Sequence, residues 1–204
     1  VPVGTWADIA SLVETNFVRP SIPELNGQTN DSALAHHAGS AAQNLTMTYG
    51  RDWAIRTSRA FDDLMDTPWE ADTWQYDRIA EFWLDGYQWM LYAGQGDYTA
   101  NGRANGVKNT LNNLNASARG WVNDFLTVME PGDLSAEDEA RLILMRDQLQ
   151  NPALGTMTGN KSFWNHDFMV HRDDDYYVSV KMNSTRSTGP ESGNDSGKKN
   201  FHMS

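Results

Sequence analysis

The 204-residue sequence contains no cysteine and carries a marked excess of acidic over basic residues. Without cysteine, the chain can form neither disulfides nor zinc–thiolate sites, and thiol catalysis is excluded. No apolar run approaches the roughly 20 residues that a membrane-spanning helix needs. The formal net charge of −11 argues against general binding to nucleic acid or to anionic membranes. We therefore expect no nucleic-acid or membrane partner.

The residues that are abundant predict a folded chain with a sizeable core. Apolar residues make up 39% of the sequence and aromatic residues 11%, with 8 tryptophans among them. This composition argues against disorder of the whole chain. A length of 204 residues suits one domain or part of a larger protein.

Six Asn-x-Ser/Thr sequons favour a secreted, extracellular glycoprotein, because this pattern is the acceptor of N-glycosylation. The alternative is an asparagine-rich chain whose sequons are unused. The sequons begin at Asn30, Asn44, Asn115, Asn160, Asn183 and Asn194.

Apolar residues at helical spacing predict several helices, while the end of the chain has a different pattern. The segment 73–91 is apolar on two faces, which predicts a helix buried on two sides in a multi-layer helical assembly. Over 168–184, two β-prone runs flank an acidic turn. The predicted helices are about twelve residues near the N-terminus, then 52–66, 73–91, 107–129 and 135–150, with ordered loops before residue 52 and at 93–106.

Metal and serine-triad chemistry find little support in the spacing of the chain. His36 and His37 could join His166 and His171 at a zinc ion, but adjacent histidines rarely share one metal and no HExxH pattern occurs. A Ser–His–Asp triad stays open, although no G-x-S-x-G elbow is present. We expect no metal and no other cofactor.

Paired carboxylates of the glycosidase type are available on the predicted helices, and they leave an (α/α) glycoside hydrolase open. Most of these acids are expected to be helix caps or a solvated face. The candidates are Glu70, Asp72, Glu81 and Asp85.

A further set of side chains suits removal of a proton alpha to a carboxylate, followed by loss of a leaving group from the beta carbon. It comprises His37, Tyr49 and Arg103, with Arg186 and Glu191 further along. An arginine can neutralise the substrate carboxylate, a base must take the proton, and an acid must protonate the departing oxygen. Periodicity alone favours the simpler interpretation of a loop histidine, a helix-entry tyrosine and a surface arginine.

Three stretches of the chain resemble the polysaccharide lyases of the hyaluronate, chondroitin AC and xanthan lyase family (family 8). "DSALAHH" (31–37) followed by "TYG" (48–50) is similar to the family's D-G-S-F-x-x-H and Y-G. The stretch 67–106, with "TPW", "LDG" and "GRANG", is the longest match. Finally, "DFMVHRDDDYYVSVKMNSTRSTGPESGN" (167–194) is similar to the family's entry into its sheet.

The resemblance implies a mainly α fold, with an incomplete (α/α) toroid of helical hairpins over 1–163. The first strands of an antiparallel β-sandwich domain would follow at 164–204. It implies a carbon–oxygen lyase that cleaves an acidic, uronic-acid-containing polysaccharide of glycosaminoglycan, xanthan or glucuronan type by β-elimination. A non-catalytic carbohydrate-binding or structural fragment of such a lyase is the alternative. The missing remainder of a larger lyase is then a further expected partner.

Carried over residue by residue, the family's catalytic groups fall on His37, Tyr49, Arg103 and Glu191. Tyr49 would protonate the glycosidic oxygen and could also abstract the C5 proton, for which His37 is the alternative base. Arg103 would hold Tyr49 and the substrate acid. We also expect substrate contacts from Arg186, Asn194, Trp53 and His36.

The chain also departs from the family's pattern at several positions. The asparagine that helps to neutralise the substrate carboxylate has Thr5 as its nearest match, and the second arginine of the family's "GRAISR" falls on Val107. The family's early helices and nearly all of its sheet domains lie outside the sequence. Together these departures leave a changed substrate or a lost activity open.

Overall fold

Four α-helices between residues 51 and 150 form the helical part of the described chain. The computed structural model describes residues 7–8, 11, 17, 26–37, 42–102 and 113–188. The helices are α1 (Arg51–Leu64), α2 (Thr73–Glu81), α3 (Leu114–Thr127) and α4 (Ala136–Gln150). The predicted helices at 52–66 and 135–150 are confirmed. The Ser135 side chain caps α4 by accepting a hydrogen bond from the Asp138 N–H. The helix expected near the N-terminus lies largely outside the described residues, of which 7, 8 and 11 are helical.

The helix predicted over 73–91 is helical as far as Met90, but it is not one regular α-helix. After α2 the backbone widens into a π-helical turn, Phe82–Gly86, and then tightens into a 3-10 helix, Tyr87–Met90. A Cβ at Gly86 would lie 2.2 Å from the Ser32 carbonyl oxygen. The segment around Ser32 therefore packs directly on the backbone at the point where the helix changes its winding, and only glycine fits there.

The core lies between these helices and is rich in aromatic rings. The predicted burial of 73–91 on two faces is confirmed, because Tyr76 and Trp83 are fully buried together with the off-stripe Phe82. Rings from α1 and α3 complete the cluster: Phe61 lies 4.7 Å from Tyr76, and Phe125 lies 6.4 Å from it. Such dense aromatic contact excludes water from the centre of the helical part.

An antiparallel sheet of three strands follows the helices, as the alternating pattern predicts. Its strands are β6 (Gly159–Phe163), β7 (Phe168–Asp173) and β8 (Tyr176–Lys181), in that order. The sequence predicted β7 and β8, but β6 was missed and the sheet begins slightly before residue 164. On its inner face, Phe168 and Val170 are buried in the core.

The outer face of this sheet is apolar as well. Val178, which pairs with His171, is 52% exposed, whereas the inward-pointing Lys181 is half-buried. In an antiparallel sheet with one solvated face the solvated side is usually polar. The described part of the chain leaves Met169, Tyr176, Val178, Val180 and Met182 exposed on the sheet and just beyond its end.

Short strands replace two segments that were expected to be loops. β1 (Gly27–Gln28), β2 (Leu34–His36) and β3 (Gln43–Asn44) form a small antiparallel sheet before α1. β4 (Leu91–Tyr92) and β5 (Gln95–Gly96) form a hairpin after the 3-10 helix. Strands of two or three residues carry too little periodicity to be predicted from sequence.

Buried polar contacts join the large sheet to the helical part. The Arg172 guanidinium donates to the carbonyl oxygens of Gln88 (2.8 Å) and Leu91 (3.0 Å). The Tyr177 hydroxyl donates to Asp97 Oδ2 at 2.7 Å. The fold is therefore helices followed by an antiparallel sheet, in contact along one junction. Nowhere in the described segments is a helix both long and apolar enough to cross a bilayer.

Candidate active site

The hairpin of β2 and β3 brings Tyr49 close to His36 and His37. His36 on β2 pairs with Gln43 on β3. Just beyond, the Leu45 N–H donates to the Leu34 carbonyl at 3.0 Å, and the Leu34 N–H donates to Thr46 Oγ1 at 2.9 Å. These bonds tie the π-helical turn Thr46–Gly50, which carries Tyr49, to the strand that carries the histidines.

Three rings meet at this point. The His36 and Tyr49 rings are stacked, with centroids 4.4 Å apart and planes inclined by 15°. The His37 ring meets Tyr49 edge-on, at 5.1 Å and 80°, and meets His36 at 4.6 Å and 89°. The predicted proximity of His37 and Tyr49 is thus present in the structure, with His36 as a third member.

Gly50 makes this close packing possible. A Cβ on Gly50 would lie 2.8 Å from the Phe82 ring and 3.0 Å from Leu34 Cβ, closer than side chains normally approach. Both neighbours are buried. The residue after Tyr49 must therefore be glycine for the turn to reach the core, and π-helical turns of this kind are frequent at functional sites.

The two histidines have different environments. Burial lowers the pKa of His36 from its ordinary value, and the neighbouring His37 lowers it further. His36 Nδ1 is buried and has no hydrogen-bond partner among the described residues. His37 is exposed, and its backbone lies in the left-handed region with φ 55°. A histidine held in that strained conformation with its ring on Tyr49 is typical of a functional site.

The segment that leaves the large sheet runs beside the hairpin. The Ala42 N–H donates to the Arg186 carbonyl at 3.2 Å, and the Thr188 N–H donates to the Ala42 carbonyl at 3.1 Å. The Arg186 guanidinium forms an ion pair with Asp167 and donates hydrogen bonds to it. These hydrogen bonds are the main reason why the pKa of Asp167 is lowered. A substrate carboxylate would have to compete with Asp167 for Arg186.

The other predicted site residues are placed elsewhere or fall outside the description. Arg103, Glu191 and Asn194 lie outside the described residues. Trp53 packs edge-on against Phe17 (5.7 Å) and Phe82 (5.5 Å) at the margin of the core, and its indole N–H is buried. In these contacts Trp53 packs against the core.

Sequence reasoning missed a buried polar cluster that supports the hairpin. Asp31 accepts hydrogen bonds from Thr29 Oγ1 (2.5 Å) and from the Asn165 N–H (2.7 Å), and His166 Nε2 lies 3.2 Å from the same Thr29 oxygen. All four residues are buried. Burial lowers the pKa of His166 to about 4, against the opposing charge of Asp31. The aspartate that starts "DSALAHH" thus anchors the hairpin to the turn between β6 and β7.

The carboxylates considered for glycosidase chemistry are held in structural contacts. Asp72 forms a capping box with Gln75 at the start of α2. Asp85 pairs with Arg141 at 3.1 Å, and Glu81 accepts from both Ser32 (2.8 Å) and Arg78 (3.3 Å). Glu70 Oε2 accepts the Asp66 N–H at 3.2 Å. Of these four acids, Asp72 has the helix-capping role that was expected, whereas Glu81 and Asp85 form ion pairs that were not predicted.

The histidines considered for zinc are dispersed over different contacts. His166 belongs to the Asp31 cluster, and His171 on the outer face of the sheet contacts Asn160 and Tyr176. Within the described segments, no group of three histidine or acidic side chains is placed to hold a metal ion.

Comparison with known proteins gives a family match at the end of the chain. Residues 158–204 match the family described as polysaccharide lyase family 8, super-sandwich domain. A search among curated proteins gave no match.

Solved lyases share the fold over most of the chain. A chondroitinase AC lyase studied in enzyme–oligosaccharide complexes is 16% identical, with a TM-score of 0.70 over 89% of this chain and 25% of the lyase. A xanthan lyase of Paenibacillus is 15% identical, with a TM-score of 0.67 over 89% of this chain and 20% of the lyase. A chondroitin AC lyase of Streptomyces coelicolor A3 is 18% identical, with a TM-score of 0.61 over 91% and 29%.

The chain therefore spans less than a third of the length of these solved structures. At such identities the likeness concerns the fold, while the family match covers the sheet region. Together they confirm the resemblance predicted from the sequence: the chain is similar to a fragment of a family 8 polysaccharide lyase, with the family's super-sandwich domain represented in residues 158–204.

Proposed function

We propose that this chain is the catalytic-cleft portion of a secreted polysaccharide lyase. It would cleave a uronic-acid-containing polysaccharide by β-elimination and leave an unsaturated uronate at the new chain end. The observation that carries the proposal is the contact between the Tyr49 and His37 rings at 5.1 Å, on a hairpin whose exposed histidine is backbone-strained.

The elimination needs one proton acceptor and one proton donor at neighbouring sugar atoms. A base removes the C5 proton, the electron pair forms the C4–C5 double bond, and the C4–O bond breaks as the leaving oxygen takes up a proton. Tyr49 can donate that proton, and Tyr49 or His37 can accept the C5 proton. Because the two rings touch, both can reach one sugar ring.

The remaining roles follow the family pattern. Arg103 would stabilise the negative charge that develops on the substrate carboxylate, and Glu191 and Asn194 would complete the site. Arg186 would join them once a sugar acid competes with Asp167. No cofactor is required for this chemistry, since the proton lost from carbon is returned to the leaving oxygen.

The proposal includes the architecture of the complete lyase and its secretion from the cell. The helices would form part of an (α/α) toroid over 1–163, and the sheet would open a β-sandwich domain from 164, within a longer lyase. Of the sequons that favour secretion, Asn44 is unsuitable as an acceptor. It is buried, and its side-chain oxygen accepts from Thr46 Oγ1 at 2.7 Å. Asn30, Asn160 and Asn183 are exposed and remain candidates for glycosylation.

An ultraviolet-absorbance time course tests the reaction, because the unsaturated uronate absorbs whereas the substrate does not. Hyaluronan, chondroitin, xanthan and glucuronan form the substrate panel. We expect absorbance to rise on at least one polysaccharide, and Tyr49→Phe to reduce the rate at least a hundredfold through loss of the acid. Tyr176→Phe is the matched control, because that hydroxyl lies on the exposed face of the sheet and should leave the rate unchanged.

Two other outcomes would contradict the proposal. A flat trace on every substrate from folded protein, with binding of acidic polysaccharide retained, would favour a non-catalytic fragment. Release of reducing sugar without ultraviolet absorbance, abolished by Asp85→Asn and retained in Tyr49→Phe, would favour a glycoside hydrolase.

A further inference from the structure

His36 was expected to contact substrate, but its surroundings indicate another role. Its ring lies flat against the Tyr49 phenol, with centroids 4.4 Å apart, so one face of the imidazole is covered. The edge that carries Nδ1 is buried. His36 is thereby turned toward the tyrosine, while its neighbour His37 is the exposed member of the pair.

The backbone holds this orientation. His36 is the last residue of β2 and is in register with Gln43, while the following residue, His37, turns the chain with φ 55°. On the other side, Leu34 and Thr46 are joined by a hydrogen bond of 2.9 Å. The strand and the turn that carry the two stacked rings are therefore fixed to each other by hydrogen bonds of Leu34, whose N–H donates to Thr46 Oγ1 and whose carbonyl accepts from the Leu45 N–H.

Electrostatics favour an uncharged ring in this place. Among the described residues, the titratable groups that face His36 are His37, which follows it in the chain, and Tyr49 on the π-helical turn, while Gln43 across the sheet is uncharged. No described carboxylate pairs with His36. A neutral imidazole can stack on a phenol, and such aromatic pairs favour an offset parallel arrangement.

We propose that His36 is a positioning residue: its ring stacks on one face of the Tyr49 phenol, next to the edge-on ring of His37, and this clamp gives the Tyr49 hydroxyl one direction in the cleft. This inference rests on the proposed function for its effect on rate, but the clamp is a property of the chain without substrate. His36 makes no contact with the sugar in this arrangement.

Two substitutions of similar volume separate the possibilities. His36→Phe keeps a flat ring on Tyr49, whereas His36→Leu fills the space without one. We expect His36→Phe to retain kcat within about threefold, and His36→Leu to lower kcat at least tenfold, with KM within about twofold of the parent in both. A rise of KM in both variants would assign His36 to substrate binding. An unchanged kcat in His36→Leu would overturn the clamp.

A measurement without substrate keeps the test independent of the activity. The Tyr49 ring resonances are identified in a carbon-13 tyrosine spectrum as those that vanish in Tyr49→Phe. We expect them to stay dispersed in His36→Phe and to move toward averaged values in His36→Leu, while circular dichroism shows both variants folded. Tyr49 resonances that are unchanged in folded His36→Leu would overturn the clamp, even if the parent shows no lyase activity.

Discussion

The helical core and the junction between helices and sheet are stabilised in different ways. In the core, Phe61, Tyr76, Trp83 and Phe125 exclude water by dense packing of rings. At the junction, buried polar groups meet one another, with Asp31 against the Asn165 N–H as the central contact. Apolar packing tolerates small shifts, whereas each buried hydrogen bond needs a specific partner at a specific distance. The junction should therefore be the part that determines whether hairpin and sheet keep their relative positions.

The largest expected effect belongs to the core. Trp83→Ala should lower the free energy of unfolding by about 3–5 kcal/mol, because it removes a fully buried indole and leaves a cavity. Trp164→Ala is the matched control, since this indole is 53% exposed and its removal should cost far less. Urea unfolding followed by circular dichroism measures both. Equal losses in the two variants would contradict the description of the core.

A substitution at the junction should lower the free energy of unfolding somewhat less, but it should also reduce the cooperativity of unfolding. Asp31→Asn should lower the free energy of unfolding by about 2–3 kcal/mol, since an amide NH₂ replaces one of the two oxygens that accept from Thr29 and Asn165. Asp147→Asn, which alters an ion pair with Arg146 on exposed helix surface, should cost under about 0.5 kcal/mol.

The width of the unfolding transition gives a second measurement of the junction. We expect the unfolding transition of Asp31→Asn to broaden, because the sheet can then separate from the hairpin before the helices unfold. A narrow transition that matches the parent, at unchanged midpoint, would show that Asp31 does not couple the two parts.

The junction should also be sensitive to acid. Burial lowers the pKa of His166 below its ordinary 6.5, to about 4, although the charges of Asp31 and Asp167 oppose this and that of Lys181 adds to it. Between pH 6.5 and 4 the unfolded chain binds a proton at His166 that the folded chain does not. The contribution of neutral His166 to the free energy of unfolding is therefore complete above pH 6.5 and is lost as the pH falls toward 4. His36, whose pKa is also lowered, contributes in the same direction.

Thermal unfolding between pH 7.5 and 4.5 measures this dependence. The parent should lose stability steadily across that range, and His166→Gln should show a shallower loss, because glutamine keeps a polar group that does not titrate. His171→Gln is the control, on the outer face of the sheet. A parent and a His166→Gln curve of the same slope would refute the assignment.

The smallest expected effect concerns one hydroxyl at the junction. Tyr177→Phe removes the hydrogen bond of 2.7 Å to the buried Asp97 and should cost about 1–2 kcal/mol. Tyr176→Phe, the adjacent residue with an exposed hydroxyl, should cost under about 0.5 kcal/mol. Chemical unfolding of the pair checks the difference, and an equal effect at both positions would mean that the Asp97 contact adds nothing to stability.

Sequence patterns were sufficient for the long elements of the core. The helices at 52–66 and 135–150 and the strands around the acidic turn were predicted because apolar periodicity reflects burial directly. β6 was missed, since Asn160, Lys161 and Ser162 carry no apolar alternation. From Phe82 the helix over 73–91 is π-helical, and Gly86 at the end of that turn packs directly on Ser32, a contact with a distant segment that local periodicity does not reveal.

The site was predictable only through motif resemblance. His37 and Tyr49 were chosen from it, and the structure brings their rings together. The stacking of His36 on Tyr49 could not be predicted, because it depends on which face of β2 meets the π-helical turn. Likewise, Asp31 stood in the matched motif, but its partner Asn165 lies 134 positions away.

By itself, the sequence was sufficient to predict the helices at 52–66 and 135–150 and the two later strands, and it offered side chains whose chemistry suits elimination, because periodicity and side-chain type are local properties. The tertiary structure alone decided that Arg186 pairs with Asp167, that Trp53 packs on the core and that His36 lies flat on Tyr49. These outcomes depend on burial and on contacts between distant segments. The free energy of such contacts arises only when the chain is folded.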